Sequence, residues 1–275
     1  MTQAAVVGCG IMGSGITFVA RAAGFPVTAV EPTDELLGGA RQRVERHEAQ
    51  ARKRGADLEG LAPLEMTTDV AGAVAGADVV VEAVPEDLDL KREVFATLGN
   101  AAGAGTVIAS NTSGLSIEEL GSASGRSSQV LGLHFFNPVP AMRLVEVVRA
   151  PDTTDDTVAR GAEFARAVGK ETVEVRDMPG FVTTRLGTLL MCEAIRAYEQ
   201  GVASAEHVDT AMKLGYNHPM GPLELADRVG LDTILFVLDD LHEVYGDAFT
   251  APQLLREMVA GGKLGRKSGA GFYEY

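Results

Sequence analysis

The sequence predicts an α/β protein, with a doubly wound N-terminal domain and an all-helical C-terminal domain. Up to about residue 176, short apolar runs alternate with amphipathic runs, as in a β-α-β fold. The apolar runs are nearly continuous Val, Ile and Ala, which is typical of parallel strands covered by helices on both faces. After Met178–Gly180, apolar residues recur every three or four positions instead. We therefore expect domains at residues 1–178 and 179–275.

The individual elements follow from the same patterns. Strands of the first domain are predicted at AAVVG, PVTAVE, ADVVVEAV, TVIAS, QVLGLHFF, RLVEVVRA and ETVEVR. Its helices are predicted at Gly13–Gly24, Asp34–Arg54, DLDLKREVFATLGN and DDTVARGAEFARAVGK. In the second domain, a helix of about 20 residues is predicted from the apolar spacing of Val182, Leu186, Leu189, Leu190, Ala194 and Tyr198. Further helices are expected at Ser204–Leu214, Pro222–Val229 and Asp232–Tyr245.

The composition is that of a globular protein, and its charge argues against several classes of partner. The chain of 275 residues has 24 basic and 38 acidic side chains, a formal charge of −14. This disfavours nucleic acid and anionic membranes, although a local basic pocket can still bind an anionic small ligand. Cys9 and Cys192 have no metal-ligand spacing and indicate a reducing compartment. Because no run reaches membrane-span length and MTQAAVVG lacks a leader pattern, we expect a cytoplasmic protein.

A glycine-rich segment, VVGCGIMGSGI, follows the first predicted strand and opens the first helix. Its Gly8, Gly10 and Gly13 have the spacing G-x-G-x-x-G. The first glycine permits a tight turn, the second lets the backbone approach a pyrophosphate, and the third lets helix and strand pack closely. The amides of the helix N-terminus, including Ile11 and Met12, then face the phosphates. The segment therefore predicts a Rossmann-like site for a dinucleotide, NAD or FAD.

The residue at the end of the second predicted strand favours NAD at this site. Glu31 lies about 20 residues after the glycines, where an acidic side chain accepts hydrogen bonds from the ribose hydroxyls of the adenosine half. The same carboxylate repels the 2′-phosphate of NADP. The next residues, Pro32, Thr33 and Asp34, offer no arginine to neutralise that phosphate. We therefore expect NAD rather than NADP.

A second group of polar residues occurs in GLHFFNPVPAMRLVEVV. His134 ends one predicted strand and Glu146 lies in the next, and the turn with Pro138 and Pro140 can bring the strands side by side. A histidine that removes a proton needs a carboxylate to hold its tautomer and stabilise the imidazolium. Alternatively, both residues are structural. Donors suited to a reacting oxygen follow the ends of nearby strands, namely Ser110, Asn111, Thr112, Ser113 and Asn137.

Several blocks of the sequence recur together in one enzyme family. They are GCGIMGSGI, EAVPEDLDLKREVF, ASNTSGLSI, GLHFFNPVPAMRLVEVV, PGFVTTR, AMKLGYNHPMGPLELAD and GKLGRKSGAGFYEY. On these blocks, essentially the whole chain resembles the L-3-hydroxyacyl-CoA dehydrogenases, particularly the short bacterial 3-hydroxybutyryl-CoA type. The resemblance implies an NAD-binding N-terminal domain, a helical C-terminal domain that forms a homodimer, and interconversion of 3-hydroxyacyl-CoA and 3-oxoacyl-CoA.

The resemblance also implies roles for single residues in the reaction. His134 matches the catalytic histidine of the family, and Glu146 matches its partner. Ser113 and Asn137 match residues that contact the reacting oxygen of the substrate.

Two further matches, Glu86 and Lys91, contact the cofactor near its nicotinamide half in the family. A carboxylate at Glu86 also suits the start of the helix that follows it. The cofactor-binding residues implied are Gly8, Gly10, Ile11, Met12, Gly13, Glu31, Glu86, Lys91 and Ser113.

Some positions leave the substrate open. Thr184 in PGFVTTR replaces the usual asparagine of the family, and a hydroxyl reaches less far and donates one proton instead of two. Asp87 replaces a frequent asparagine and adds a negative charge near the cofactor. Arg52 and Lys53 lie in the basic helix RQRVERHEAQARKRG, which is either a solvated face or a contact for CoA phosphates, as in the family.

Two alternatives to the short-chain CoA substrate therefore remain at this point. One is the same chemistry on another β-hydroxy acid or on a carrier-protein thioester, because fold does not fix the substrate. The other is a non-catalytic NAD-binding protein, against which the His134/Glu146 pair argues. No metal site is expected.

Overall fold

The computed structural model describes residues 3–275. Contacts between residues divide the chain into two compact units, with the boundary between Met178 and Pro179. The first unit is an α/β structure and the second is helical.

The first unit is built on one eight-stranded sheet. The strands are β1 (Ala4–Val7), β2 (Val27–Val30), β3 (Leu64–Thr67), β4 (Val79–Glu82), β5 (Val107–Ser110), β6 (Val130–Phe135), β7 (Leu144–Arg149) and β8 (Glu171–Arg176). The helices are α1 (Ile11–Ala22), α2 (Asp34–Lys53), α3 (Val70–Ala75), α4 (Leu88–Ala101), α5 (Ile117–Ser124) and α6 (Asp155–Ala167). The strand order is β3-β2-β1-β4-β5-β6-β7-β8, so the chain reverses its direction of winding between β1 and β4. This confirms the doubly wound fold that the apolar runs predict.

The sheet is parallel except where β6 and β7 pair antiparallel. In that pair, His134 lies directly opposite Glu146. The neighbouring parallel register places Glu82 of β4 opposite Ser110 of β5. Strands β1, β2, β4 and β5 are buried along their whole length, which agrees with their continuous apolar sequence.

Three elements of the first unit are absent from the sequence-based prediction. Strand β3 is an edge strand with the sequence LEMT and no buried residue, so it lacks the apolar run that marks a central strand. Helices α3 and α5 are short, with 6 and 8 residues, and too brief to show a clear helical period. Three of the longer helices begin just after a capping side chain: Thr33, Asp87 and Thr154 each accept an amide hydrogen bond from the first turn.

The second unit contains α7 (Thr183–Glu199), α8 (Ala205–Gly215), α9 (Pro222–Val229), α10 (Leu231–Tyr245) and α11 (Gln253–Ala260). Helices α7 to α10 confirm the predicted helices within two residues at their ends, whereas α11 was not predicted. The core of this unit lies between these helices and contains Ile195, Leu223, Leu231, Leu238 and Leu255.

Two buried aspartates of the second unit form hydrogen bonds with the C-terminal segment, at Phe272 and Tyr273. Asp227 accepts hydrogen bonds from the amides of Phe272 and Tyr273, at 3.0 and 2.9 Å. Asp209 accepts one from the hydroxyl of Tyr273 at 2.8 Å. Between residues 3 and 275, the structure contains no helix with the length and hydropathy needed to cross a membrane.

Candidate active site

The glycine-rich loop joins β1 to α1, as its sequence predicts. Gly8 has a φ of +84°, and a Cβ at this position would lie 2.7 Å from the amide nitrogen of Val84. A Cβ at Gly13 would lie 1.8 Å from the carbonyl oxygen of Gly8, so only glycine lets α1 pack this closely on the loop. At Gly10 a Cβ would meet nothing within 4 Å. The middle glycine therefore faces open space, in which a ligand can approach the backbone.

The N-terminus of α1 adjoins this open space and fits a pyrophosphate. Gly10 is the N-cap residue and supplies no side-chain cap, and Ile11 is 70% exposed. The first-turn amides, at Ile11, Met12 and Gly13, carry the positive end of the helix dipole. Uncapped amides beside an open approach are the donor set that a dinucleotide phosphate requires.

Glu31 lies just past β2, where it is nearly buried. Its Oε1 accepts a hydrogen bond of 2.7 Å from the amide of Cys9, so the carboxylate is fixed against the glycine-rich loop. The structure corrects one expectation about its surroundings. Although no arginine follows Glu31 in sequence, Arg43 of α2 places its Nη2 atom 3.9 Å from Oε1.

The histidine and glutamate of the antiparallel pair form a buried dyad. Nδ1 of His134 lies 2.8 Å from Oε2 of Glu146, and both side chains are almost completely buried. An ionised carboxylate only accepts hydrogen bonds, so this contact assigns the proton of the neutral ring to Nδ1. The lone pair then lies on Nε2, where the ring can act as a base. The ring of Phe136 packs on the imidazole with the centroids 4.4 Å apart.

A loop after β5 is tied to the strand that carries the histidine. The side-chain oxygen of Asn111 accepts a 3.0 Å hydrogen bond from the amide of Phe135, the residue after His134. The sequence places Asn111 near the site but does not show this contact, because it joins residues on different strands. The tie fixes the Asn111–Ser113 loop relative to the dyad.

The same loop is held from its other side by Glu86. Oε1 of Glu86 accepts hydrogen bonds from the hydroxyl of Thr112 at 2.6 Å and from the amide of Ser113 at 2.9 Å. The Ser113 hydroxyl also lies 3.3 Å from it. The role at the helix start belongs instead to Asp87, which caps α4 through the amide of Leu90 at 2.9 Å. An asparagine could make the same cap.

A buried ion pair lies beneath this loop. Nζ of Lys91 lies 2.5 Å from Oε1 of Glu82, and both side chains are fully buried. Lys91 also lies 3.3 Å from Oε2 of Glu86, and Ser110 donates a 2.6 Å hydrogen bond to Glu82. Burial raises the pKa of the Glu82 carboxyl, and the Lys91 ammonium opposes that shift. The pair thus anchors Glu86, which in turn holds Ser113. The sequence analysis does not single out Glu82. Its charge at the end of the apolar run VVVE could have marked it as a candidate site residue.

The remaining predicted residues lie on the surface or in the second unit. Asn137 is exposed in the turn between β6 and β7, a turn that Lys170 holds by donating to the carbonyl oxygens of Val139 and Met142 at 2.5 and 2.8 Å. Arg52 and Lys53 are exposed in the last turn of α2.

Thr184 is partly buried in the first turn of α7, in the second unit. Within the part of the chain that the structure describes, no group of three or more His, Cys, Asp or Glu side chains could hold a metal ion.

Comparison with known proteins identifies the family. The model of the 3-hydroxyacyl-CoA dehydrogenase NAD-binding domain matches residues 3–178, and that of the C-terminal domain matches residues 180–275. The chain belongs to the 3-hydroxyacyl-CoA dehydrogenases. It is 42% identical to human mitochondrial hydroxyacyl-coenzyme A dehydrogenase over 98% of this chain and 90% of the human protein. The chain is therefore an NAD-dependent oxidoreductase and not a non-catalytic NAD-binding protein.

Solved structures of this dehydrogenase family have the same fold. FadB2 of Mycobacterium tuberculosis is 41% identical, with a TM-score of 0.95 over 100% of this chain and 99% of that protein. An (S)-3-hydroxybutyryl-CoA dehydrogenase of Ralstonia eutropha is 37% identical, with a TM-score of 0.95 and the same coverage. These comparisons confirm the family, the fold and NAD as the cofactor, so the FAD alternative for the glycine-rich loop is closed.

Proposed function

We propose that this dehydrogenase interconverts short-chain L-3-hydroxyacyl-CoA, such as 3-hydroxybutyryl-CoA, and the 3-oxoacyl-CoA. The 2.8 Å contact between His134 and Glu146 carries the proposed chemistry, because it leaves a base at Nε2. The short acyl chain is supported by similarity to the enzyme of Ralstonia eutropha that acts on (S)-3-hydroxybutyryl-CoA.

Each reaction residue has a separate role in this proposal. His134 takes the proton of the 3-hydroxyl group at Nε2 and returns it in the reverse direction. Glu146 holds Nδ1–H and offsets the charge that the ring gains. Ser113 and Asn137 donate hydrogen bonds to the substrate oxygen as it becomes a carbonyl oxygen. When bound, NAD would supply the group that accepts the hydride from carbon 3 of the hydroxyacyl substrate.

The cofactor residues have distinct tasks in this proposal. Gly8, Gly10 and Gly13 shape the loop, and the amides of the first turn of α1 bind the pyrophosphate. Glu31 binds the ribose of the adenosine half. Glu86 and Ser113 lie towards the nicotinamide half. Lys91 acts there through Glu86, because its ammonium is buried against Glu82 and Glu86.

The remaining proposals concern the CoA group and the assembly. Residues 1–178 form the NAD-binding domain, and residues 179–275 form a helical substrate and dimerisation domain. Arg52 and Lys53 are exposed cations suited to CoA phosphates. The two cysteines are free thiols, which supports a reducing, cytoplasmic compartment.

A second candidate substrate is supported by one observation. Thr184 replaces the asparagine usual in the family, and its single short hydroxyl changes one substrate contact. The same chemistry on another β-hydroxy acid or on a carrier-protein thioester therefore stays open.

A substrate panel tests these proposals. The purified protein is given NADH with acetoacetyl-CoA, longer 3-oxoacyl-CoA thioesters, acetoacetyl carrier protein and free acetoacetate, and NADH absorbance is followed. We expect the highest kcat/KM with acetoacetyl-CoA. A higher value for the carrier-protein thioester, the free acid or a long acyl chain would contradict the short-chain CoA proposal.

A further inference from the structure

Lys170 is a buried lysine whose ammonium group binds a turn of the candidate active site. It lies between α6 and β8, and only 7% of the residue is exposed. Its Nζ donates hydrogen bonds to the carbonyl oxygens of Val139 and Met142, at 2.5 and 2.8 Å. Burial lowers the pKa of this ammonium, because the charged form is poorly solvated. Hydrogen bonds from a charged donor are roughly twice as strong as neutral ones, so Lys170 holds both carbonyl groups firmly.

The turn between β6 and β7 has few other ties to the rest of the first unit. The carbonyl oxygen of Pro138 accepts hydrogen bonds from two amides of the turn, at 2.9 and 3.0 Å. These bonds close the turn on itself but do not attach it to another element. At the start of β7, the amide of Glu171 donates a 2.7 Å hydrogen bond to the carbonyl oxygen of Arg143. The side chain of Lys170 extends this attachment from the strand to the turn.

The other side of the turn lies against the helix that begins the cofactor site. Val139 is buried, and Gly15 of α1 lies so close to it that a Cβ at Gly15 would be 2.8 Å from the Cβ of Val139. The side chain of Val139 therefore packs on α1, while its carbonyl oxygen accepts the hydrogen bond from Lys170. The turn is thus held between α1 and the lysine.

Asn137 depends on this support for its position. It is exposed, so packing of its own side chain does not fix it, and it directly precedes Pro138. A group that donates a hydrogen bond to a reacting oxygen has to be held within about 0.5 Å of the productive geometry. The backbone of the turn therefore has to be rigid if Asn137 is to donate to the substrate oxygen.

We propose that Lys170 is a positioning residue for the reaction. Its buried ammonium fixes the turn between β6 and β7, and the turn aims the carboxamide of Asn137 at the substrate oxygen. This rests on the donor role of Asn137 in the proposed function. Lys170 itself touches neither substrate nor cofactor, so its removal lowers kcat while the glycine-rich loop continues to bind NADH.

A double-mutant cycle tests whether Lys170 acts through Asn137. Lys170→Met removes the ammonium and keeps a long apolar side chain. With the substrate that gives the highest kcat/KM in the panel, we expect kcat to fall by about 10-fold to 100-fold, since a displacement of about 1 Å can cost that much. The Kd of NADH should change little. In the Asn137→Ala background, Lys170→Met should lower kcat by less than about twofold, because the donor that it positions is already absent.

Thr153→Val is the matched structural control. Thr153 is also buried, and its hydroxyl donates a 2.6 Å hydrogen bond to the carbonyl oxygen of Val130, at the opposite end of β6 from His134. This variant should lower the melting temperature, as Lys170→Met does, but it should retain kcat. If Lys170→Met does not fold, Lys170→Gln, which keeps a polar end, takes its place in the cycle.

The two possible failures give different results. Losses of kcat that add in the double variant would overturn the proposal, because Lys170 would then act independently of Asn137. Native-like kcat in Lys170→Met, or an equal loss in Thr153→Val, would overturn it too, and the proposed function would stand. Full kcat in Asn137→Ala would instead refute the donor role of Asn137, and the role of Lys170 with it. The panel settles the substrate beforehand, so failure of the short-chain assignment does not alter the cycle.

Discussion

At the scale of single residues, the site depends on side chains that other side chains hold in place. The histidine is oriented by Glu146, and Ser113 is oriented by Glu86. The sequence predicts that His134 and Glu146 lie side by side, because they belong to consecutive strands joined by a short turn. It does not predict Arg43 next to Glu31, because that contact depends on how α2 packs against the glycine-rich loop.

Removal of the dyad should affect turnover far more than cofactor binding. His134→Ala removes the base, so we expect kcat to fall by roughly 100-fold to 10,000-fold while the Kd of NADH changes little. Glu146→Gln should also lower kcat, because it removes the charge that stabilises the imidazolium. If the two act as one unit, the double variant should be little worse than His134→Ala. Steady-state kinetics and NADH fluorescence titration provide the measurements.

A structural histidine would give the opposite pattern. His134→Ala would then lower the melting temperature, and the activity of each folded molecule would be retained. Native-like turnover in this variant would refute the proposed role of the dyad.

The thiol of Cys9 should make stability depend on pH in the alkaline range. Burial raises its pKa from 9.0 to about 11, because the thiolate is poorly solvated. Between these values the unfolded chain loses the proton and the folded chain keeps it, so the free energy of unfolding falls as pH rises. The full loss is about 3 kcal/mol, from two pKa units at ~1.36 kcal/mol each.

Urea denaturation of the natural protein and of Cys9→Ala across this range measures the effect. The variant loses a small side chain, which gives an offset that does not depend on pH. The two curves should therefore converge as pH rises from about 9 to about 11. Parallel curves would show that Cys9 does not titrate in this way.

At the scale of elements, the strands and helices bring together loops that are distant in sequence. The ends of β4, β5 and β6 carry Glu82, the Asn111–Ser113 loop and His134, and the parallel register aligns them. Continuous apolar runs are sufficient to predict these central strands. The edge strand β3 and the short helices α3 and α5 were missed, because tertiary packing rather than local periodicity specifies them.

The buried ion pair joins Lys91 of α4 to Glu82 of β4, and removing only one of the two charges should destabilise the protein. Lys91→Met leaves the Glu82 carboxylate buried without its cation, and we expect the free energy of unfolding to fall by about 3–5 kcal/mol. Because burial raises the pKa of Glu82, protonation should relieve this loss, which should be smaller at about pH 5 than at about pH 8.

The double variant Lys91→Met/Glu82→Gln provides the control. It removes both charges, so part of the lost stability should return. Urea denaturation followed by circular dichroism measures all three proteins. A double variant as unstable as Lys91→Met alone would show that lost packing, not the unpaired carboxylate, accounts for the effect.

At the scale of the whole molecule, the two units differ in how completely sequence specifies them. In the first unit, the sequence alone indicates the positions of the loop glycines, of the polar residues at strand ends and of the acidic residue Glu31. In the second unit, the periodic helices were predicted, but α11 and the fastening of the C-terminal segment by Asp209 and Asp227 were not. Those contacts join residues far apart in the chain, and no local pattern reports them.

The second unit also carries exposed apolar side chains, which leads to the last prediction. Leu186 of α7 and Phe236 of α10 are each 61% exposed, and such residues are enriched where proteins associate. We expect a homodimer, so light scattering at micromolar concentration should give twice the chain mass of 28.8 kDa. A glutamate at an apolar contact leaves a buried, unpaired charge, so Leu186→Glu and Phe236→Glu should each shift the protein towards monomer.

Leu36→Glu is the matched control in the first unit, where Leu36 is 44% exposed, and it should remain dimeric. A natural protein that scatters as 28.8 kDa would refute the dimer, and two dimeric glutamate variants would exclude these side chains from its interface.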